Sequence, residues 1–260
     1  MKSIFIALTL AAAVLSAAPL TASAESAKPT IVLVHGAFAD ASSWNGVVPI
    51  LQRDGFYVIA PPDPLRGVKS DGAGIRALLA FIKGPVVLVG HSYGGMVISN
   101  AAIGAANVKA LVYVGAFAPE AGESAAALDV KYPGALLGAA LSPVPIPGHV
   151  HDLYVVQDKY REAFAPDTTD SAARIAAVTQ RPITDAAFGE KATTPAWKTI
   201  PSWFIYGDGD TAIPPKVHAF MAARAHPRDT VVVQGASHVV MVTHPDAVAK
   251  VIEEAAAAVQ

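Results

Sequence analysis

The 260-residue chain contains no cysteine. Disulfides, thiolate metal sites, a cysteine nucleophile and a lipidated N-terminal cysteine are therefore excluded. Charge is scarce, at 15% of residues, and balanced, with 19 basic against 21 acidic side chains. Without a basic surplus to neutralise phosphates, nucleic-acid binding is not expected. Hydrophobic residues make up 53% of the chain, which excludes disorder as its main state. No segment after the first residues has an apolar run of membrane-spanning length, so no membrane partner is expected.

The first residues form the one strongly apolar run. Met1-Lys2-Ser3 carries a positive charge, Ile4 to Leu15 is apolar, and Ala22-Ser23-Ala24 precedes Glu25. This is the pattern of a secretory signal peptide over residues 1–24, with a mature chain of residues 25–260 that is periplasmic or secreted. The absence of cysteine suits export, since no oxidative folding step is needed.

Along the body, short apolar runs recur at Thr30–Val34, Phe56–Ala60, Pro85–Val89, Val108–Val114, Ser202–Tyr206 and Thr230–Val233. Continuous runs of this kind suit strands covered on both faces, as in a parallel sheet. Helix-like stretches lie between them, at Asp71–Lys83, Tyr93–Ala105, Pro214–Arg224 and Pro245–Val259. The alternation predicts an α/β doubly wound, mostly parallel sheet of about six strands. It breaks over residues 117–199, a stretch with Pro143, Pro145 and Pro147 and Ala-rich helical patches. That stretch reads as a cap inserted between core strands.

Gly90-His91-Ser92-Tyr93-Gly94 fits G-x-S-x-G between a strand and a helix. A sharp turn there lifts the Ser92 hydroxyl above the sheet, at a helix N-terminus that favours negative charge. A serine hydroxyl needs a base, and the base needs an orienting acid. His238, in Gly235-Ala236-Ser237-His238, follows the last strand and is the candidate base; His244 is a rival that reads as helix entry. His35 and His91 read as loop-positioning residues. Asp208 and Asp210 both follow strand Ser202–Tyr206; Asp210 lies further into the loop and is favoured, with Asp208 and Glu120 as alternatives. The backbone N–H groups of Tyr93 and Ala37 are candidate oxyanion donors. Phe38 is a candidate substrate-binding residue. His149 and His151 form an H-x-H pair with no evident third ligand, so no metal site is expected.

His35-Gly36-Ala37-Phe38, G-H-S-Y-G, G-D-G-D and G-A-S-H stand in that order. In this the chain resembles the α/β-hydrolase superfamily, most of all its compact methylesterase and arylesterase branch. The resemblance implies the α/β-hydrolase fold with a helical cap. It also implies a catalytic Ser92, Asp210 and His238, oxyanion donors at Ala37 and Tyr93, and no cofactor. Plant-type hydroxynitrile lyases of this branch carry a lysine where this chain has Val239 and a hydroxyl residue where it has Gly36. The expected activity is therefore hydrolysis of small, largely apolar esters by a monomer or weak homo-oligomer. Two alternatives are cofactor-free perhydrolysis through the same residues and ligand binding without turnover.

Overall fold

Four of the apolar runs become strands enclosed on both faces. β1 (Thr30–Val34) is buried throughout, and β2 (Val58–Ile59) lies beside it. β3 (Val86–His91) is buried throughout, and β4 (Val108–Val114) at every position but Lys109. Helices α1 (Val48–Arg53), α2 (Val68–Phe81) and α3 (Gly94–Ala101) connect these strands. The computed structural model describes residues 28–259; the leader pattern and its cleavage position lie outside the described residues.

After β4 the chain makes an excursion through α4 (Ala125–Asp129), α5 (Leu137–Ala140), β5 (Leu141–Ile146) and β6 (Val150–Val155). It continues through α6 (Gln157–Phe164), α7 (Asp170–Thr179), β7 (Ile183–Thr184) and α8 (Asp185–Gly189). The chain then returns as β8 (Ser202–Gly207), α9 (Pro215–Ala225), β9 (Asp229–Val233), α10 (Val240–Thr243) and α11 (Pro245–Ala257).

The six core strands are all parallel, in the order β2-β1-β3-β4-β8-β9. The two edges differ from the sequence expectation. β2 contracts to two residues with Tyr57 exposed beside it, and β9 is mostly exposed. An edge strand has one neighbour, so its apolar residues have less to pack against. Topology also fixes where a ligand binds. The chain passes from β1 outward to β2 and then crosses back to β3, making a switch point at the carboxyl ends of β1 and β3. The loop starting at His35 and the turn holding Ser92 both lie there.

The excursion departs from a helical cap, for it contains an antiparallel sheet in the order β5-β6-β7. β5 carries Pro143 and Pro145 at alternate positions, opposite Leu153 and His151. Alternate residues of a strand direct their nitrogens to the same side, so an edge strand tolerates both prolines. Prolines that read as loop in the sequence are thus compatible with this strand. Among the described residues, no helix is long and apolar enough to cross a membrane.

Candidate active site

The turn after β3 is made by glycines at close quarters. A Cβ on Gly90 would stand 2.6 Å from the Gly94 carbonyl oxygen, and one on Gly95 would stand 2.1 Å from that of Phe117. No side chain fits either place. Between them Ser92 takes φ +53°, the left-handed region that a non-glycine residue adopts at a cost of about 1–3 kcal/mol. Its carbonyl is tied by Gly95 N–H at 2.9 Å and Phe117 N–H at 3.1 Å. These bonds hold the strained turn closed at the head of α3.

Gly36 lies against the serine; a Cβ there would meet Ser92 Cβ at 2.6 Å. The Ala37 N–H, one residue on, donates to no described residue, and the Tyr93 N–H is equally free. The next amide is not free. Phe38 N–H donates to the Arg181 carbonyl at 2.9 Å, and the Phe38 carbonyl accepts from Tyr160 Oη at 2.8 Å. Phe38 has φ +59°, so the excursion clamps this loop on both sides of a left-handed residue. Two side chains brace the loops from behind. His35 Nε2 accepts from Asp63 N–H at 2.9 Å, and His91 Nε2 donates to the His238 carbonyl at 3.1 Å. Burial, then the neighbouring His238, holds the His91 imidazole well below its ordinary pKa, so it remains neutral.

Asp210 and His238 meet at the same sheet edge. His238 Nδ1 lies 2.8 Å from Asp210 Oδ2, and both side chains are fully buried. A carboxylate only accepts, so Nδ1 carries the hydrogen and Nε2 is the nitrogen left over. That Nε2 is buried with no hydrogen-bond partner among the described residues. The His238 ring stands 4.8 Å from that of His91, the residue before Ser92.

Asp210 accepts more than this one bond. Its Oδ1 takes the N–H groups of Ala212 and Ile213, each at 2.8 Å. Its Oδ2 also accepts from His218 Nε2 at 2.9 Å. Burial alone would raise the Asp210 carboxyl, but the charge of His238 and the hydrogen bonds from both imidazoles outweigh it. The carboxyl is held below the ordinary aspartate range and stays ionised.

The remaining candidates fall elsewhere. Asp208 Oδ1 accepts from Gly235 N–H at 2.6 Å, joining the two loops that carry Asp210 and His238. Glu120 pairs with Lys198 at 2.7 Å. His244 sits at the start of α11, bonded to Thr243. In the H-x-H pair, His149 occupies the β5–β6 turn with φ +61°, and His151 Nδ1 pairs with Asp185 at 2.9 Å.

The sequence profile of the Alpha/beta hydrolase family matches residues 31–251. This chain belongs to that family. Among individual relatives, this α/β-hydrolase is 28% identical to the Alpha/beta hydrolase nvfD of Aspergillus novofumigatus, over 88% of this chain and 97% of that one. It is 37% identical to the Carbendazim hydrolyzing esterase of Nocardioides sp. over a shorter stretch, 38% of this chain and 47% of that one. Of solved structures, that of polyneuridine aldehyde esterase superposes with a TM-score of 0.75 at 19% identity, covering 88% of this chain and 99% of the other.

Beside the site of this α/β-hydrolase lies a cavity of about 300 Å³, mostly apolar in lining. Phe38, Tyr160, Ala173, Ile175, Ala176 and Val239 contribute to its walls. Phe164 stands edge-on to His238 at 4.9 Å, and its ring also contacts Phe38 and Tyr160. An aromatic chain thus runs from the cavity wall to His238. From the insertion, α6 and α7 supply one side of this cavity, whereas Leu136, Leu137, Leu141, Val144, Ile146, Leu153 and Tyr154 lie outside its lining.

Three participants escaped sequence reasoning. His218 lies eight positions after Asp210 in the first turn of α9, with no motif to mark it. Phe164 is one of nine phenylalanines. Asp129 ends α4 within the Ala-rich part of the insertion. Only folding brings His218 to Asp210 and Phe164 to the His238 ring, and buries Asp129.

Proposed function

We propose that this α/β-hydrolase is a serine carboxylic-ester hydrolase acting on small, largely apolar esters through an acyl-enzyme. Ser92 Oγ attacks the ester carbonyl carbon, and His238 Nε2 takes its proton. Asp210 keeps the imidazole in the Nδ1–H tautomer and stabilises the imidazolium. The free N–H groups of Ala37 and Tyr93 receive the charge that develops on the carbonyl oxygen. His238 then returns the proton to the leaving alkoxide. In the second half, His238 takes a proton from water, whose oxygen attacks the acyl carbon; the acid leaves and Ser92 recovers its hydrogen.

The observation that carries this reading is the left-handed Ser92 at the carboxyl end of β3, on the same edge as a buried His238–Asp210 pair with a bare Nε2. The largely apolar cavity supports a substrate with an apolar body. The names carried by an esterase relative and an esterase structure support ester hydrolysis as the reaction class. The leader pattern supports action outside the cytoplasm.

Fluorophosphonate treatment followed by intact-mass and peptide analysis tests the covalent step. A single adduct on Ser92 is expected. The Ser92→Ala protein is expected to remain unlabelled and to lose about 10⁴–10⁶-fold in kcat on short p-nitrophenyl esters. A folded wild-type protein that neither labels nor hydrolyses such esters would overturn the proposal.

A further inference from the structure

Helix α7 is built inside out. Its buried and half-buried positions include Ala173, Ala176 and Ala177, while its large aliphatics, Ile175 and Val178, are 62% and 64% exposed. A helix on a globular core ordinarily turns its large side chains inward. Here the reversal holds open the cavity of about 300 Å³, because Ala172, Ala173 and Ala176 form much of its α7 wall. Space kept open while large side chains stay outside suits a ligand that fills it.

The matching ligand group is apolar. Every hydroxyl in the lining already donates within the protein: Ser42 to the Asp40 carboxylate, and Ser43, Tyr160, Thr168 and Thr179 to backbone carbonyls. The Gln180 amide is likewise bonded to Val155. A cavity of ~150 Å³ admits one benzene ring, so this one suits two fused rings.

The cavity also lies to one side of the reacting groups. Val239 follows His238 directly, and Ala165 follows Phe164, whose ring meets that of His238 at 4.9 Å. Phe38 is two positions after Gly36, which lies against Ser92. Phe117 bonds the Ser92 carbonyl, yet nothing from Gly115 to Leu141 lines the cavity. The leaving alkoxide takes its proton from the imidazole, so the alcohol part of an ester lies on the imidazole's side of the scissile bond.

We infer that this cavity receives the alcohol part of the ester, and that Ala173 and Ala176 are specificity-determining residues that set its size. The inference rests on the ester-hydrolase reading. It narrows the substrate class to esters of a bulky, two-ring apolar alcohol with a small acyl group.

The test uses two isomers, 2-naphthylmethyl acetate and methyl 2-naphthylacetate, which carry the same rings on opposite sides of the ester. In wild type, kcat/KM for the first should exceed that for the second by about tenfold. Ala176→Leu should cut this ratio about tenfold, and Ala173→Leu should move it the same way. Comparing the ratio between proteins cancels the intrinsic reactivity of the two esters, and leucine keeps the helix propensity of α7. A wild-type ratio below about threefold, or one that both folded variants leave unchanged, would overturn the inference. The hydrolase would stand in that case if short p-nitrophenyl esters are still cleaved. A measurement on wild type alone covers variants that fail to fold. 2-Naphthylmethanol should inhibit competitively at a concentration about tenfold below that of benzyl alcohol, and equal inhibition by the two would overturn the assignment. A folded wild-type protein that cleaves none of these esters and takes no fluorophosphonate label would overturn the esterase reading, and the cavity's role with it.

Discussion

The turn after β8 and the end of α4 each bury one aspartate, and they treat it in opposite ways. Asp210 receives four hydrogen bonds, from two backbone amides and two histidines, and stays ionised. Asp129 Oδ1 receives none from any described residue, and burial pushes the carboxyl up to about 7. Burial acts on both in the same direction. The donors decide which carboxyl holds its charge. The strand-end turn is a completed polar network, whereas the inserted segment leaves a polar group open.

Cancelling the charge at Asp210 has the largest expected effect. Asp210→Asn removes the acceptor that holds His238 in the Nδ1–H tautomer, and kcat should fall by about 10⁴-fold with the fold retained. Steady-state kinetics beside circular dichroism measures this. A loss below about tenfold would mean that another acid serves His238.

The same replacement at Asp129 should act on stability with the opposite sign. Its raised pKa means that the folded state holds a proton the unfolded state, near 3.8, has released. Its contribution is fully present below pH 3.8 and is lost as pH rises through about 7. Asp129→Asn should therefore stabilise the protein at pH 8 by up to about 4 kcal/mol, with little effect at pH 4. Urea unfolding at the two pH values reads the difference. Equal effects at both would place the Asp129 carboxyl in solvent.

His218 sharpens the comparison at smaller scale, as one donor among four. His218→Phe removes its bond to Asp210 Oδ2. We expect kcat to fall by about tenfold with KM unchanged. The charge released towards His238 should move the acid limb of the pH–kcat profile upward. His218→Gln, which keeps a donor, should restore most of both. A Phe variant with a changed KM and an unmoved pH limb would assign His218 to packing alone.

Much of this site was legible along the chain. Ser92, Asp210 and His238 each follow an apolar run, and strand ends carry chemistry in an open parallel sheet. Gly36, Gly90 and Gly94 mark places where backbones approach too closely for a side chain. The choice between Asp208 and Asp210 was not legible from spacing; it turns on which carboxyl folds back to His238 and which joins Gly235. The β-sheet in the insertion was hidden because Pro143 and Pro145 read as loop, and only their edge position makes them compatible with a strand.

By itself, then, the order of apolar runs and turn residues determined the parallel sheet, its connecting helices and the edge bearing Ser92, because those are local patterns of period and turn chemistry. Only the tertiary structure decided which side chains are buried alongside Asp210 and His238. His218, Phe164 and Asp129 arrive from three separate segments. Their charge states depend on burial and on hydrogen bonds that exist only once the chain has closed around them.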